Sequence, residues 1–212
     1  LLELLRNFPG GLLQKNDLLV FSHESSLIFE RRIVMEHFDV IIVGAGISGV
    51  SAAVHLGREC PDQSYCVLER RENVGGTWDL FKYPGIRSDS DMHTLGFNFK
   101  PWKESKAIAD GPSILKYVKE TTQEYGIDEH IKFSHKLTNA QWSSHDAKWT
   151  LDVDHGDAQT QMSCNFLFMC SGYYSHDEVH DPRIDGVENF AGEVVNPQFW
   201  PEGLAHKGKR VV

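Results

Sequence analysis

Three glycines near one end of the chain have the spacing of a phosphate-binding turn. Gly44, Gly46 and Gly49 follow the pattern G-x-G-x-x-G. In this pattern the first glycine permits a tight turn, the second lets the backbone approach a pyrophosphate, and the third lets a helix pack closely on a strand. The N–H groups at the start of that helix then bind the phosphates, and Ser48 lies among them. The pattern therefore predicts a dinucleotide site.

A carboxylate lies where such a site needs one. Glu69 follows a second apolar segment, residues 64–68, and comes twenty residues after Gly49. A carboxylate at this distance accepts hydrogen bonds from a ribose 2′-OH, and it would repel a 2′-phosphate. Glu69 thus favours FAD or NAD over NADP, and we include its neighbour Arg70 among the predicted cofactor-binding residues.

Two further clusters have residue types that serve binding or catalysis. The segment Gly75-Gly76-Thr77-Trp78 predicts a backbone lying close to a flat group beneath an aromatic side chain. A surface turn with a core tryptophan explains it equally well. Arg87 and Asp89 follow a Pro-Gly turn, where they can pair with each other, serve an active site, or belong to a solvated loop. A solvated loop is the default for charges after such a turn, and the residues alone do not exclude the other two.

The elements around the glycine turn predict the fold. Residues 40–43 are apolar and β-branched, which is typical of a strand buried on both faces. Residues 48–59 have a helical pattern, and residues 64–68 form the second strand. A strand, a glycine turn, a helix and a strand together predict an α/β fold of Rossmann type with a parallel sheet. The alternative is a glycine-rich turn in an unrelated α/β domain.

The second half of the chain predicts one helix and then a run of strands. The helix covers residues 113–126, with a proline near its start and a glycine at its end. The strands lie at about residues 131–133, 136–142, 148–153 and 161–170, and they predict an antiparallel β insert. Its last part, residues 166–169, is expected to be a buried return strand of the main sheet. Gly172 follows that strand and is predicted to lie close to the dinucleotide.

Composition excludes several classes of protein. The net charge of −9 argues against a nucleic-acid partner, and no apolar run approaches the roughly 18 residues that cross a bilayer. The cysteines form no C-x-x-C pair, which predicts reduced thiols, a cytoplasmic location and no zinc site. His176 and His180 have a spacing of four residues but lack the H-E-x-x-H pattern, so a solvated loop is favoured over a metal site.

The predicted domain covers residues 35–212. Residues 1–34 have poor periodicity and an early Pro-Gly-Gly break, so we expect them to be poorly ordered or extraneous, with Met35 as the natural start. A mitochondrial-type leader is the alternative, although its acidic residues disfavour it.

Four segments, in this order and spacing, resemble the FAD-binding half of flavoprotein monooxygenases: V-I-I-V-G-A-G-I-S-G, L-E-R, V-G-G-T-W and Y-P-G-I-R-S-D-S-D. The class contains flavin-containing monooxygenases and type I Baeyer–Villiger monooxygenases, and the resemblance covers about residues 37–212. A later segment, from Phe190 to Pro201, resembles the Baeyer–Villiger fingerprint F-x-G-x-x-x-H-x-x-x-W-P. Asn196 stands where the family has histidine, and asparagine cannot titrate near neutral pH.

The resemblance implies roles for the candidate residues. The three glycines of the turn would hold the FAD pyrophosphate, and Glu69 the adenosine ribose. Gly76, Thr77 and Trp78 would lie against the flavin. Asp89 would lie near the flavin and support a catalytic arginine from later in the chain, which makes it and Arg87 the catalytic candidates.

The resemblance also implies an activity for the intact enzyme. NADPH reduces FAD, the reduced flavin reacts with O₂ to give a peroxyflavin, and one oxygen enters a ketone, sulfide or amine. The last residues, 208–212, are expected to begin an NADPH-binding Rossmann unit, so that the chain is a fragment that is inactive alone. Two alternatives stay open: a disulfide or ferredoxin reductase, and a non-catalytic FAD-binding fragment.

Overall fold

The computed structural model of the 212-residue chain describes residues 35–211. The predicted boundary before residue 35 therefore falls almost entirely outside the described residues and stays a prediction. The domain begins with strand β1 (Glu36–Val43), helix α1 (Ile47–Glu59) and strand β2 (Tyr65–Leu68). β1 and β2 pair in parallel, and Ile41 and Ile42 are fully buried. The predicted strand, turn, helix and strand are thereby confirmed.

Four more strands complete one six-stranded sheet: β3 (Ile131–Lys132), β4 (His135–Ser143), β5 (Lys148–His155) and β6 (Ala158–Met169). The strand order is β3-β2-β1-β6-β5-β4, with parallel pairs from β3 to β6 and antiparallel pairs from β6 to β4. The predicted mixture of a parallel sheet and an antiparallel insert is confirmed. The assignment of residues 131–133 to the insert is wrong, however, because β3 pairs in parallel with β2 at the edge of the main sheet. β6 joins the two, because its first part pairs with β5 and its last part with β1.

Three further helices are α2 (Thr77–Leu80), α3 (Met92–Leu95) and α4 (Gly111–Glu124). α4 begins two residues before the predicted start at Ser113, because the Asp110 side chain accepts a hydrogen bond from the Ser113 N–H and acts as the N-cap. It ends just before Gly126, whose φ of +65° suits the end of a helix. No helix among residues 35–211 has both the length and the apolar character needed to cross a bilayer.

Two apolar clusters stabilise the two faces of the sheet. One packs the sheet against α1 and α4 and includes Ile42, Val50, Val54, Val67, Ile114 and Val118. The other packs β1 and β2 against the antiparallel strands and includes Ile41, Cys66, Leu68, Leu151, Val153, Met162 and Cys164. Burial raises the pKa of the Cys66 thiol to about 12 and that of Cys164 to about 11. Because these three strands are parallel and packed in the core, the carboxyl ends of β1, β2 and β6 lie at one edge of the sheet.

The end of β6 corrects one prediction. Residues 166–169 pair in parallel with β1, as the sequence indicated. The run is not buried, however, since Phe166, Phe168 and Met169 are 59%, 45% and 53% exposed. The reason is that α1 packs over β1 and β2, whereas the main contacts of β6 among the described residues are with its neighbouring strands β1 and β5. The strand pairing of residues 166–169 was thus predicted correctly, but the prediction that they are buried was wrong.

Candidate functional site

A cavity of about 840 Å³ lies where β1, β2 and β6 end. This position suits a nucleotide, because ligands of open α/β sheets bind outside the carboxyl ends of the strands, and the volume is that of a small-molecule site. The cavity brings together every predicted site residue except Gly49. Those that line it are Gly44, Gly46, Ser48, Glu69, Arg70, Gly76, Thr77, Trp78, Arg87, Asp89 and Gly172.

The first and third glycines of the turn lie in backbone that has no room for a side chain. Gly44 has φ +104°, and a Cβ atom there would lie 2.5 Å from the carbonyl oxygen of Cys170. A Cβ atom on Gly49 would lie 1.8 Å from the carbonyl oxygen of Gly44. Gly49 therefore lies behind the turn and does not line the cavity. In this position it lets α1 pack directly on the end of β1.

The start of α1 opens into the cavity. Gly46 is the N-cap residue, and no side chain caps this end of the helix. Gly46, Ile47 and Ser48 all line the cavity. The first N–H groups of a helix have no partner within it, so an uncapped end beside a cavity can bind an anion such as a pyrophosphate.

Glu69 connects the end of β2 to the glycine turn. The residue is buried and only 4% exposed. Oε2 accepts a hydrogen bond from the Ala45 N–H at 2.8 Å, and Oε1 accepts one from the Arg71 N–H at 2.8 Å. Each oxygen keeps a further lone pair, so Glu69 can still accept hydrogen bonds from ribose hydroxyls.

The second glycine pair meets the first glycine turn. Gly75 has φ +124°, and its N–H donates to the Ala45 carbonyl oxygen at 2.9 Å. A Cβ atom on Gly76 would lie 3.0 Å from the Cα of Gly46, so the two backbones are in contact. Trp78 lines the cavity and also packs against the helical core cluster. The two interpretations of this tryptophan are thus compatible.

Arg87 and Asp89 lie on the cavity wall beyond α2. Both side chains are exposed, and the Arg87 backbone forms an antiparallel bridge with Asp110. Within residues 35–211 no ion pair joins Arg87 to Asp89. Both residues line the cavity.

The loop after β6, which the sequence analysis assigned to solvent, reaches the cavity at His176. Asp177 forms ion pairs with Arg70 and with Lys136, the latter at 3.0 Å. The hydrogen bond from Arg70, followed by that from Lys136, lowers the pKa of Asp177 to about 2. This network attaches the loop after β6 to the end of β2.

His176 is the principal site residue that sequence reasoning missed. It is half-buried, it lines the cavity, and its Nδ1 has no hydrogen-bond partner among the described residues. Burial lowers its pKa, and the charges of Arg70 and Arg71 lower it further. The interpretation of residues 176–180 as a solvated loop is therefore wrong for His176, although His180 is exposed. The available signal was the position of His176 shortly after the end of β6, which is also the signal that indicated Gly172.

The described part of the chain contains no group of three or more His, Cys, Asp or Glu side chains placed to hold a metal ion. All four cysteines have free thiols.

Known proteins resemble the chain in sequence. The profile of the family described as "NAD(P)-binding Rossmann-like domain" matches residues 42–110. The FAD-containing monooxygenase EthA of Mycolicibacterium smegmatis is 56% identical over 177 residues, which are 84% of this chain and 36% of that protein. The putative FAD-containing monooxygenase MymA of Mycobacterium tuberculosis is 48% identical over 180 residues, again 84% of this chain and 36% of that protein. The chain thus spans about a third of the length of these relatives.

Solved structures resemble it in fold. An oxidised steroid monooxygenase bound to NADP is 30% identical with a TM-score of 0.65, over 78% of this chain and 32% of that one. An open cyclohexanone monooxygenase is 25% identical with a TM-score of 0.69, over 81% of this chain and 33% of that one. The comparisons confirm the resemblance predicted from the sequence: this chain is related to part of the FAD-dependent monooxygenases, including those of Baeyer–Villiger type.

Proposed function

We propose that the chain binds FAD in the 840 Å³ cavity. The observation that carries the proposal is the contact between the two glycine motifs beside the buried carboxylate of Glu69. In the proposed binding mode, the backbone of the two glycine motifs contacts the pyrophosphate, Glu69 contacts the adenosine ribose, and Thr77 and Trp78 contact the flavin; all of these residues line the cavity. A ligand that occupies all three parts is a dinucleotide with a flat group.

The residues fit FAD in the following roles. Gly44, Gly46 and Ser48 would hold the pyrophosphate with the start of α1, and Gly49 would keep that helix in place. Glu69 and Arg70 would bind the adenosine ribose end. The remaining contacts would come from residues toward the flavin end, namely Gly76, Thr77, Trp78, Asp89 and Gly172.

FAD is favoured over the other dinucleotides on two grounds. The buried charge of Glu69 disfavours the 2′-phosphate of NADP. The similar proteins EthA and MymA are FAD-containing monooxygenases, and the second glycine pair supplies a backbone wall beyond the first turn. NADPH would then bind elsewhere in the intact enzyme.

We further propose that the chain is the N-terminal part of an NADPH- and FAD-dependent monooxygenase. Bound FAD would supply the redox chemistry that transfers one oxygen atom from O₂ to a ketone, sulfide or amine. The chain's own residues would bind and orient the flavin, and Arg87 and Asp89 would supply charge beside it. Asn196 accepts a hydrogen bond from the Gln198 N–H at 3.0 Å, a capping role that needs no titration. A cytoplasmic location forms part of this proposal, supported by the four free thiols.

A non-catalytic FAD-binding fragment is the second candidate. The chain spans 36% of the length of EthA, so the activity of the whole enzyme has to be tested separately from FAD binding. A reductase with a redox cysteine pair is disfavoured, because Cys66 and Cys164 are buried thiols with raised pKa values rather than reactive ones.

A competition titration tests the proposed site. The purified chain is titrated with FAD while flavin fluorescence is followed, and NAD and NADP are then added as competitors. We expect one FAD per chain, weak displacement by NAD and none by NADP. Tighter binding of NAD than of FAD would contradict the proposal. Oxidation of NADPH by the FAD-loaded chain separates the two candidates, since the fragment hypothesis predicts none.

A further inference from the structure

Arg71 does not line the cavity, but it contacts three segments that border it. Its backbone N–H donates to Glu69 Oε1 at 2.8 Å, at the end of β2. Its carbonyl oxygen accepts from the Ser134 N–H at 3.1 Å, in the turn between β3 and β4. Its guanidinium reaches Asp79 in α2. Arg71 therefore connects the wall that contains Glu69 to the wall that contains the second glycine pair.

The contact between Arg71 and Asp79 is directional. Nε and Nη2 donate to Asp79 Oδ2 at 3.1 and 2.7 Å, and Nη2 also lies 3.3 Å from the Asp79 carbonyl oxygen. The side chains are 26% and 6% exposed. A planar guanidinium that donates several hydrogen bonds to one residue fixes both the distance and the orientation of that residue.

Asp79 transmits this constraint to the second glycine pair. Its N–H donates to the Gly76 carbonyl oxygen at 3.1 Å, so Asp79 belongs to the first turn of α2. A Cβ atom on Gly75 would lie 3.3 Å from the Asp79 Cβ, which places the Asp79 side chain directly beside that backbone. A shift of Asp79 would therefore move the Gly76 turn relative to Glu69.

A largely buried ion pair of this kind contributes more to geometry than to net stability. Removing two charges from water offsets much of their attraction, so a packed apolar pair would stabilise the fold as well. Hydrogen bonds of fixed direction, in contrast, hold one arrangement of the two elements they join. The pair joins the two elements that a bound dinucleotide must span.

We propose that Arg71 and Asp79 are positioning residues that set the separation between the ribose-binding carboxylate Glu69 and the flavin-side turn at Gly76. This inference rests on the proposed function. It predicts that the pair matters for a ligand that spans both ends of the cavity and much less for a ligand that occupies only the Glu69 end. FAD is the first kind of ligand, and ADP is the second.

The experiment compares these two ligands in the full 212-residue chain. The variants are Arg71→Met, Asp79→Asn and their combination. Arg58→Met is the matched control, since Arg58 is exposed on α1 and lies away from the cavity. FAD affinity is measured by flavin fluorescence, ADP affinity by calorimetry, and thermal unfolding on the same samples.

We expect each single variant to weaken FAD at least about tenfold, or about 1.4 kcal/mol. ADP affinity should change by no more than about twofold. The double variant should lose little more than either single one, because both substitutions break the same contact. The control should bind both ligands as the parent chain does.

Equal weakening of FAD and ADP would overturn the inference, because it would indicate a structural role alone. Unchanged FAD affinity in both single variants would overturn it as well. If Arg71→Met fails to fold, the FAD and ADP affinities of Asp79→Asn still test the inference, since asparagine keeps the shape of the side chain. Failure of the proposed function gives a different result, namely a parent chain that does not bind FAD.

Discussion

Replacing Glu69 by glutamine tests whether one carboxylate both stabilises the turn and binds the ribose. The substitution keeps the shape of the side chain and removes its charge. Two backbone N–H groups, those of Ala45 and Arg71, now donate to the two carboxylate oxygens, each at 2.8 Å. Glutamine has only one acceptor oxygen, so one of these N–H groups must lose its partner.

The expected loss of stability follows from the two hydrogen bonds to Glu69. An unpaired buried donor costs about 1–3 kcal/mol, and the bond that remains changes from charge-assisted to neutral, which costs about 1 kcal/mol more. The free energy of unfolding should therefore decrease by about 2–4 kcal/mol in a denaturant titration. FAD should bind about ten- to hundredfold more weakly, because its ribose loses a charged acceptor.

Glu72→Gln provides the matched control. Glu72 is exposed and lies three residues further along the chain, so its substitution should change the free energy of unfolding by less than about 0.5 kcal/mol. The reasoning would be refuted if Glu69→Gln behaved like this control in both stability and FAD affinity.

The remaining predictions concern packing, catalysis and titration. Gly49→Ala should destabilise the chain by more than about 2 kcal/mol, because the added Cβ would overlap the carbonyl oxygen of Gly44. Gly57→Ala in the same helix is the control. Its added Cβ would lie 3.9 Å from the nearest atom, so this variant should be more stable by about 0.5–1 kcal/mol. Asp89→Ala in the full-length enzyme should keep FAD and lose oxygenation, measured by product formation. His176 should titrate below the ordinary histidine pKa in an NMR experiment, because burial and two arginines disfavour its charge. The unfolded chain then binds more protons below about pH 6.5, so this residue makes stability rise with pH in that range.

Each of these predictions has an outcome that contradicts it. Equal unfolding temperatures for the two alanine variants would refute the close contact at Gly49. Full oxygenation by the Asp89 variant would remove it from the catalytic candidates. A His176 pKa at or above its ordinary value would show that the ring is more solvated than its half-buried position indicates.

Local sequence was sufficient to predict the first strand, the glycine turn, α1 and β2. Their signals lie within a few residues of one another, and the glycines are required by backbone contacts inside that unit, as at Gly44 and Gly49. The antiparallel strands were likewise predicted from alternation and turns. The candidate site residues came together because parallel strands end at one edge of the sheet.

The features that were missed depend on distant parts of the chain. The apolar run at Phe166 indicated a strand, but its burial depends on which element covers it, and composition does not encode that. His176 enters the cavity because Asp177 pairs with Arg70 and Lys136, residues 107 and 41 positions away. The contact between Arg71 and Asp79 is local, since the residues are eight positions apart, but it depends on the path of the backbone between them, through two glycines with positive φ.

Identification of the bound cofactor tests the central claim most directly. The chain is purified and denatured, and the small molecule that it releases is identified by chromatography. We expect FAD, in about equal molar amount to the protein. Release of NAD would contradict the assignment of the cavity to a flavin dinucleotide, and so would an empty protein that takes up no added FAD.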